Sequence, residues 1–160
     1  MIINGKQIAD EVLGELKKEV EALRQAQGKS FRLAAVLVGE DKEFEKFVQL
    51  KGKAAEKIGV EFPIYQFPKE IETEELAKRI REISALADGI LVEMPLPEHV
   101  NSSEVLNEIP IEKDVDVLSS ASQRRFYADK ERGSDADGVV ILPPAVEALK
   151  IVLEKYSVNV

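Results

Sequence analysis

Apolar residues recur at helical spacing from the start of the chain. Ile8, Val12, Leu13, Leu16, Val20 and Leu23 predict a helix over about 6–26, stopped by Gly28. Leu33-Ala-Ala-Val-Leu-Val38 is then a continuous apolar run ending at Gly39, and such a run suits a strand buried on both faces. A second helix fits 43–58 and stops near Gly59. Residues 61–67 are β-rich and alternate weakly. Pro63 has no backbone N–H to donate, which argues for a strand start or a sheet edge. Thr73 is placed to cap a helix carrying Leu76, Ile80 and Ile83. Asp88 to Glu93 forms another buried strand, cut off by Pro95 and Pro97. Asn101-Ser-Ser-Glu104 has the form of a capping box, opening a short helix with Val105, Leu106 and Ile109. Residues 113–138 are polar and resist assignment; they hold Lys113-Asp-Val-Asp116, the basic pair Arg124 and Arg125, and a turn-like run from Gly133 to Gly138. Val139 to Leu142 is a short strand candidate. Pro143 and Pro144 suit the start of a last helix whose apolar stripe is Val146, Leu149, Leu153 and Tyr156.

A helix followed by strands and helices in alternation predicts an α/β fold. The expected architecture is three-layer, a mostly parallel sheet flanked by helices, with residues 1–160 forming a single domain. Its length suits one hydrophobic core. Charged residues are plentiful at 32%, but 44% hydrophobic residues are enough to bury a core, so disorder is not expected.

Net charge narrows the partners. At −8 the surface repels nucleic acid and anionic lipid, so neither is expected to bind. An anionic small molecule in a local basic pocket stays compatible. Without cysteine there is no disulfide, thiolate nucleophile or cysteine-zinc site. His99 is the single histidine and cannot build a multi-histidine centre alone, so no metal is expected. The N-terminus lacks a signal-peptide core, and no apolar run approaches the roughly 20 residues of a membrane span. A cytoplasmic location is therefore expected.

The informative element is the helix over 43–58. At about 100° per residue, Phe44, Phe47, Val48, Ala54, Ala55 and Ile58 share one face. Lys51 falls in the middle of that stripe, while Lys46, Lys53 and Lys57 fall on the opposite side. Burying a lysine charge is costly. The stem can pack while the ammonium snorkels to the rim. Alternatively the lysine projects into a cleft, where desolvation favours the neutral amine and proton transfer near neutral pH becomes accessible. Pattern alone weighs these equally.

Two acidic features sit where strands should end. Glu93 closes the strand that begins at Asp88, and ligands of open α/β sheets bind beyond the carboxyl ends of strands. Asp114 and Asp116 lie two residues apart and share a face if the segment is extended. They fit a solvated loop or helix cap equally well.

These residues resemble a known family. Phe47-Val-Gln-Leu-Lys51-Gly-Lys53-Ala54 is similar to its Tyr-Val-x-x-Lys-x-Lys-Ala helix signature. Asp88-Gly-Ile-Leu-Val-Glu-Met-Pro-Leu-Pro97 looks like its Asp-Gly-Ile-Leu-Val-Gln-Leu-Pro-Leu-Pro segment. Glu112-Lys-Asp-Val-Asp116 looks like its Glu-Lys-Asp-Val-Asp-Gly segment. Order and spacing agree across roughly residues 1–118. The family is the bifunctional methylenetetrahydrofolate dehydrogenase/methenyltetrahydrofolate cyclohydrolase, and the resemblance is to its N-terminal, folate-binding catalytic domain. It implies an enzyme of one-carbon metabolism that oxidises 5,10-methylenetetrahydrofolate with NAD(P)⁺ and hydrolyses the methenyl product to 10-formyltetrahydrofolate. By the resemblance, Lys51 is the catalytic lysine, Phe47 stacks on the folate, and Asp116 accepts two hydrogen bonds from the pterin edge. Glu93 takes the place of a glutamine that hydrogen-bonds the lysine.

Four positions depart from the pattern. The family tyrosine is Phe47, a serine three residues earlier is Phe44, the glutamine is Glu93, and the glycine after Asp116 is Val117. A carboxylate beside Lys51 stabilises the ammonium, the opposite of what a neutral base requires. No Gly-rich dinucleotide fingerprint follows a strand, so the family's Rossmann domain is expected to be absent from this chain. NAD(P) is expected only with that domain, whether in cis or as a separate nucleotide-binding partner, and dehydrogenation by this chain alone is not expected. The alternative is a divergent, non-catalytic folate-binding or interaction domain.

Overall fold

The computed structural model describes residues 3–132 and 141–157. Helix α1 spans Gly5–Gln27. Asn4 caps its start by accepting from the Gln7 N–H, and Gly28 ends it in the left-handed region at φ 68°. A side chain there would strain the backbone, which is why glycine stops the helix at this point.

Strand β1 (Leu33–Val38) is the centre of the sheet. Strand β2 (Ile64–Phe67) pairs with one side of it and strand β3 (Gly89–Val92) with the other, both parallel. The central strand is nearly fully buried, as a continuous apolar run requires. β2 lies at the edge, where Pro63 just before it deprives no neighbour of a ladder bond. The expected strand over 61–67 is shorter in the structure, and Glu61 contributes only an isolated bridge to Arg32.

Helix α2 (Lys42–Lys57) covers one face of the sheet, where Val48 packs with Ala35 and Leu91. Helix α3 (Thr73–Leu86) and the short helix α4 (Ser102–Leu106) cover the other. There Leu76, Ile80 and Val105 meet Val36, Ile90 and Val92 in the main core. The result is the expected three-layer α/β domain with a parallel sheet. Two local expectations change. Thr73 is not a cap; its hydroxyl accepts from the Asn101 N–H and ties α3 to the start of α4. Only half of the capping box forms, because that same N–H is already committed: Asn101 Oδ1 accepts from the Glu104 N–H, and Glu104 meets the Asn101 side-chain amide instead.

Residues 113–114 extend the sheet beyond β3. The Ile90 N–H donates to the Lys113 carbonyl at 2.9 Å, and Ile90 bridges Asp114 in parallel. Gly89 permits this approach, since a Cβ there would lie 2.9 Å from Val115 Cγ1 and 3.2 Å from Leu33 Cδ1. At the opposite end of the strands, Asp88 accepts from Lys29 at 2.6 Å and from the Arg32 N–H at 2.9 Å. The Lys29 hydrogen bond, with help from the Arg32 N–H, holds the Asp88 carboxyl below the usual carboxylate range.

Helix α5 (Ser120–Arg132) occupies much of the stretch that resisted assignment, and it carries Arg124 and Arg125. Helix α6 (Pro144–Lys155) begins as expected, with Pro144 in its first turn. Its stripe is not core, however. Val146 and Leu149 are exposed, and none of its residues is fully buried. Among the described residues, no helix layer covers that stripe, and an ion pair from Lys155 to Glu11 links α6 to α1. The run from Gly133 to Gly138 lies outside the described residues, as do Val139 and Val140. Ile141 and Leu142, the rest of the strand candidate, are not in a strand. No described helix is long and apolar enough to cross a membrane.

Candidate functional site

The carboxyl ends of the strands gather the unusual residues. α2 follows β1 through the turn at Gly39, and its N-terminus is capped by Asp41, which accepts from the Glu43 and Phe44 N–H groups. Phe47 and Lys51 are four residues apart and therefore neighbours on the helix surface. Val48 and Ala55 turn into the sheet, while Phe47 is 56% exposed, so the apolar stripe splits into a core side and a cleft side. The Lys51 ammonium lies 5.0 Å from the centre of the Phe47 ring.

Lys51 does not snorkel to bulk water. Its Nζ donates to Glu93 Oε1 at 2.6 Å, and the Glu93 side chain is only 8% exposed. Glu93 is itself fixed by the sheet: its N–H donates to the Val36 carbonyl at 2.9 Å, one residue beyond the end of β3. The Met94–Pro95 peptide that follows is cis. A buried carboxylate needs a partner of opposite charge, and Lys51 supplies it.

Asp116 completes the cluster from the far side of β3, two residues past the Asp114 bridge. It is half-buried, and that burial pushes its carboxyl above the usual range. Glu93 and Asp114 push in the same direction, and Lys51 opposes them. The four residues singled out from the sequence, Phe47 and Lys51 on α2, Glu93 after β3 and Asp116 in the turn beyond, thus come from three segments and meet at one end of the sheet.

Asp114 and Asp116 do not act as a pair on an extended face. The segment is a turn, and Asp114 is buried, its carboxylate accepting from the Leu118 and Ser119 N–H groups at 3.1 and 2.8 Å. Asp114 holds the turn, leaving Asp116 to the cleft. Val117 sits between them with φ 56° and a buried side chain. The positive φ expected of a glycine is retained here by a β-branched residue, a costly conformation that the Asp114 hydrogen bonds sustain. Sequence reasoning missed this role of Asp114. Ser119, whose hydroxyl accepts from the Ser122 N–H, was the available signal for a helix starting just beyond it.

A separate groove of about 700 Å³ opens on the same rim, lined by Phe44, Lys69, Pro95, Pro97 and His99 among others. It contains none of the four clustered residues and adjoins the cleft. His99 is anchored there through a 3.0 Å contact between Nε2 and the Ile71 carbonyl.

This is a parallel α/β domain with one lysine, two carboxylates and an exposed aromatic ring gathered at the carboxyl ends of its strands. The chain belongs to the family described as tetrahydrofolate dehydrogenase/cyclohydrolase, catalytic domain, whose model matches residues 3–116. The bifunctional protein FolD of Methanococcoides burtonii is 40% identical over 161 residues, covering 99% of this chain and 54% of that protein. The FolD methylenetetrahydrofolate dehydrogenase/cyclohydrolase of Campylobacter jejuni matches in structure with a TM-score of 0.85 at 27% identity, over 97% of this chain and 53% of the other. The Trypanosoma brucei enzyme, solved with NADP and an inhibitor, matches with a TM-score of 0.87 at 24% identity, over 99% of this chain and 52% of the other. The chain spans about half the length of the curated relatives it matches.

The described residues do not fit a dinucleotide pyrophosphate. The turn from β1 into α2 has one glycine, Gly39, followed by Glu40 and Asp41. Asp41 occupies the N–H groups at the start of α2, and Glu43 and Glu45 add negative charge to its first turn. A phosphate would be repelled where a dinucleotide fold would bind it.

Proposed function

We propose that this chain is the folate-binding catalytic half of a methylenetetrahydrofolate dehydrogenase/cyclohydrolase, acting in one-carbon metabolism on 5,10-bridged tetrahydrofolates. The observation that carries this reading is the meeting of Phe47, Lys51, Glu93 and Asp116 at one end of the sheet. Asp116 accepts two hydrogen bonds from the amino-pyrimidinone edge of the pterin, a planar donor pair suited to a carboxylate. Phe47 offers a ring for stacking, and Lys51 and Glu93 stand where the one-carbon bridge reacts. NAD(P) for the oxidative step is held by a nucleotide-binding domain beyond these residues, whether linked or separate. A cytoplasmic setting suits a folate enzyme without cysteine.

Calorimetric titration with tetrahydrofolate tests the reading. The chain binds, and Asp116→Ala abolishes binding while the fold, followed by circular dichroism, is kept. Absence of binding by the unaltered chain at millimolar ligand refutes it. The departures at Phe44, Phe47, Glu93 and Val117 support a second reading, a folate-binding domain without catalysis. It predicts the same titration but no turnover with any one-carbon form.

A further inference from the structure

We propose that the free edge of β2, with the groove between it and α3, is a docking site for an extended, basic segment of a partner protein, taken up as an added strand. The groove lies on the α3 face of the sheet and shares no residue with the cluster of Phe47, Lys51, Glu93 and Asp116. It therefore rests on no part of the folate reading.

β2 is hydrogen-bonded to β1 along one side only. The carbonyls of Glu61, Pro63 and Phe67 accept from the N–H groups of Leu33, Ala35 and Gly39. Backbone groups alternate in direction along a strand, so Ile64 and Gln66 turn theirs away from β1. Each offers an N–H and a carbonyl there, and no described strand lies on that side. An unpaired edge of this kind is a template for pairing with another chain.

The side chains beside the edge give the site depth. Tyr65 and Phe67 are half-buried on the α3 side, where they pack on the core that contains Ile83. Leu86, at the end of α3, is 62% exposed. These residues floor an open groove of about 640 Å³. A segment paired to β2 would send every second side chain into it. Strand addition works in this way, with main-chain hydrogen bonds giving affinity and alternate side chains giving specificity.

Charge selects the occupant. The rim carries Glu70, Glu72, Glu75 and Glu82 against one guanidinium, Arg79. That guanidinium is already engaged, by Glu75 at 2.9 Å and Glu82 at 3.1 Å. Glu70 and Glu72 therefore leave the rim negative. Arginine or lysine stems can lie on the apolar floor while their heads reach these carboxylates. A second copy is a poor occupant. Pairing β2 with β2 about a twofold axis would bring two negative rims together on chains that each carry −8.

The test is fluorescence anisotropy with the whole chain and a labelled peptide of Leu-Thr-Arg-Thr repeats. Threonine favours the strand, and leucine and arginine share one of its faces. The arginine peptide binds, and its affinity falls as salt is raised. The matching Leu-Thr-Glu-Thr peptide binds at least about tenfold more weakly. Ile64→Pro removes an outward N–H and weakens the arginine peptide about tenfold, the scale of one lost main-chain hydrogen bond. Leu86→Ser, at an exposed position, weakens it about fivefold and carries the test if circular dichroism shows that Ile64→Pro does not fold. No binding of the arginine peptide at millimolar concentration overturns the proposal. Equal affinity for the two peptides, or unaltered affinity in the folded variants, does so as well. A chain that sediments as a dimer and becomes monomeric with Ile64→Pro assigns the edge to a second copy and overturns it too.

Discussion

Replacing Lys51 by methionine keeps the packed stem and removes the charge that faces Glu93. The carboxylate left behind is 8% exposed, and Lys51 itself is 30% exposed. At 2.6 Å and an effective dielectric of 20, the attraction of the pair is about 6 kcal/mol before desolvation is subtracted. Breaking a fully buried pair costs about 3–5 kcal/mol, whereas exposed pairs are worth about 0.2–1 kcal/mol. This pair is buried at one end and partly open at the other, so Lys51→Met should cost about 1–3 kcal/mol. Urea unfolding reads this as a midpoint lowered by roughly 1 M, with the slope unchanged. Adding Glu93→Gln removes the stranded charge and recovers most of the loss, giving a coupling of at least about 1 kcal/mol in the double-mutant cycle. A lysine that merely lies on the helix rim would tolerate methionine without loss. An unchanged midpoint with coupling under about 0.5 kcal/mol would therefore refute the paired, cleft-facing arrangement.

Two further outcomes follow from the turn that carries Asp116. Its carboxyl is raised in the folded state, so the folded chain holds the proton more tightly than the unfolded one, and stability falls as pH rises through the unfolded and then the folded value. Asp116→Asn should therefore gain in Tm over the unaltered chain as pH increases from 4 to 7, while tetrahydrofolate binding is lost; a difference independent of pH contradicts the burial argument. At Val117, alanine removes buried methyls and keeps the strained φ, whereas glycine removes more side chain but relieves about 1–2 kcal/mol of left-handed strain. Val117→Gly should be no less stable in urea than Val117→Ala; glycine falling about 1 kcal/mol below alanine, its ordinary deficit, would show that the turn is not strained.

Much of the layout was legible because it follows from local pattern. The apolar run Leu33–Val38 suited a buried strand, and it is the central one. Gly28 and Gly59 mark helix ends through positive φ, a property of the residue itself. Lys51 stood out because a charge inside an apolar stripe is a local contradiction. α5 was not legible: Ser120–Arg132 places Phe126 and Tyr127 side by side in a polar segment, which makes no stripe, and its start is secured by Ser119 and buried Asp114. The α6 stripe was legible as a helix but not its exposure, because amphipathicity records a face to be covered and not the neighbour that covers it.

The sequence by itself determined the alternation of strands and helices, the absence of thiol chemistry, and the odd polar residues Lys51, Glu93 and Asp116. Those depend on periodicity, composition and single side-chain chemistry. Only the tertiary structure decided that the lysine meets the glutamate, that Asp114 turns inward to hold the chain while Asp116 stays at the cleft, and that Phe47 leaves the core for the rim. The Asp114 turn is short-range but depends on which of its carboxylates the packing buries, while the lysine–glutamate contact joins segments 42 residues apart at one end of a parallel sheet. Such proximity is set by strand order and packing, and no local pattern encodes it.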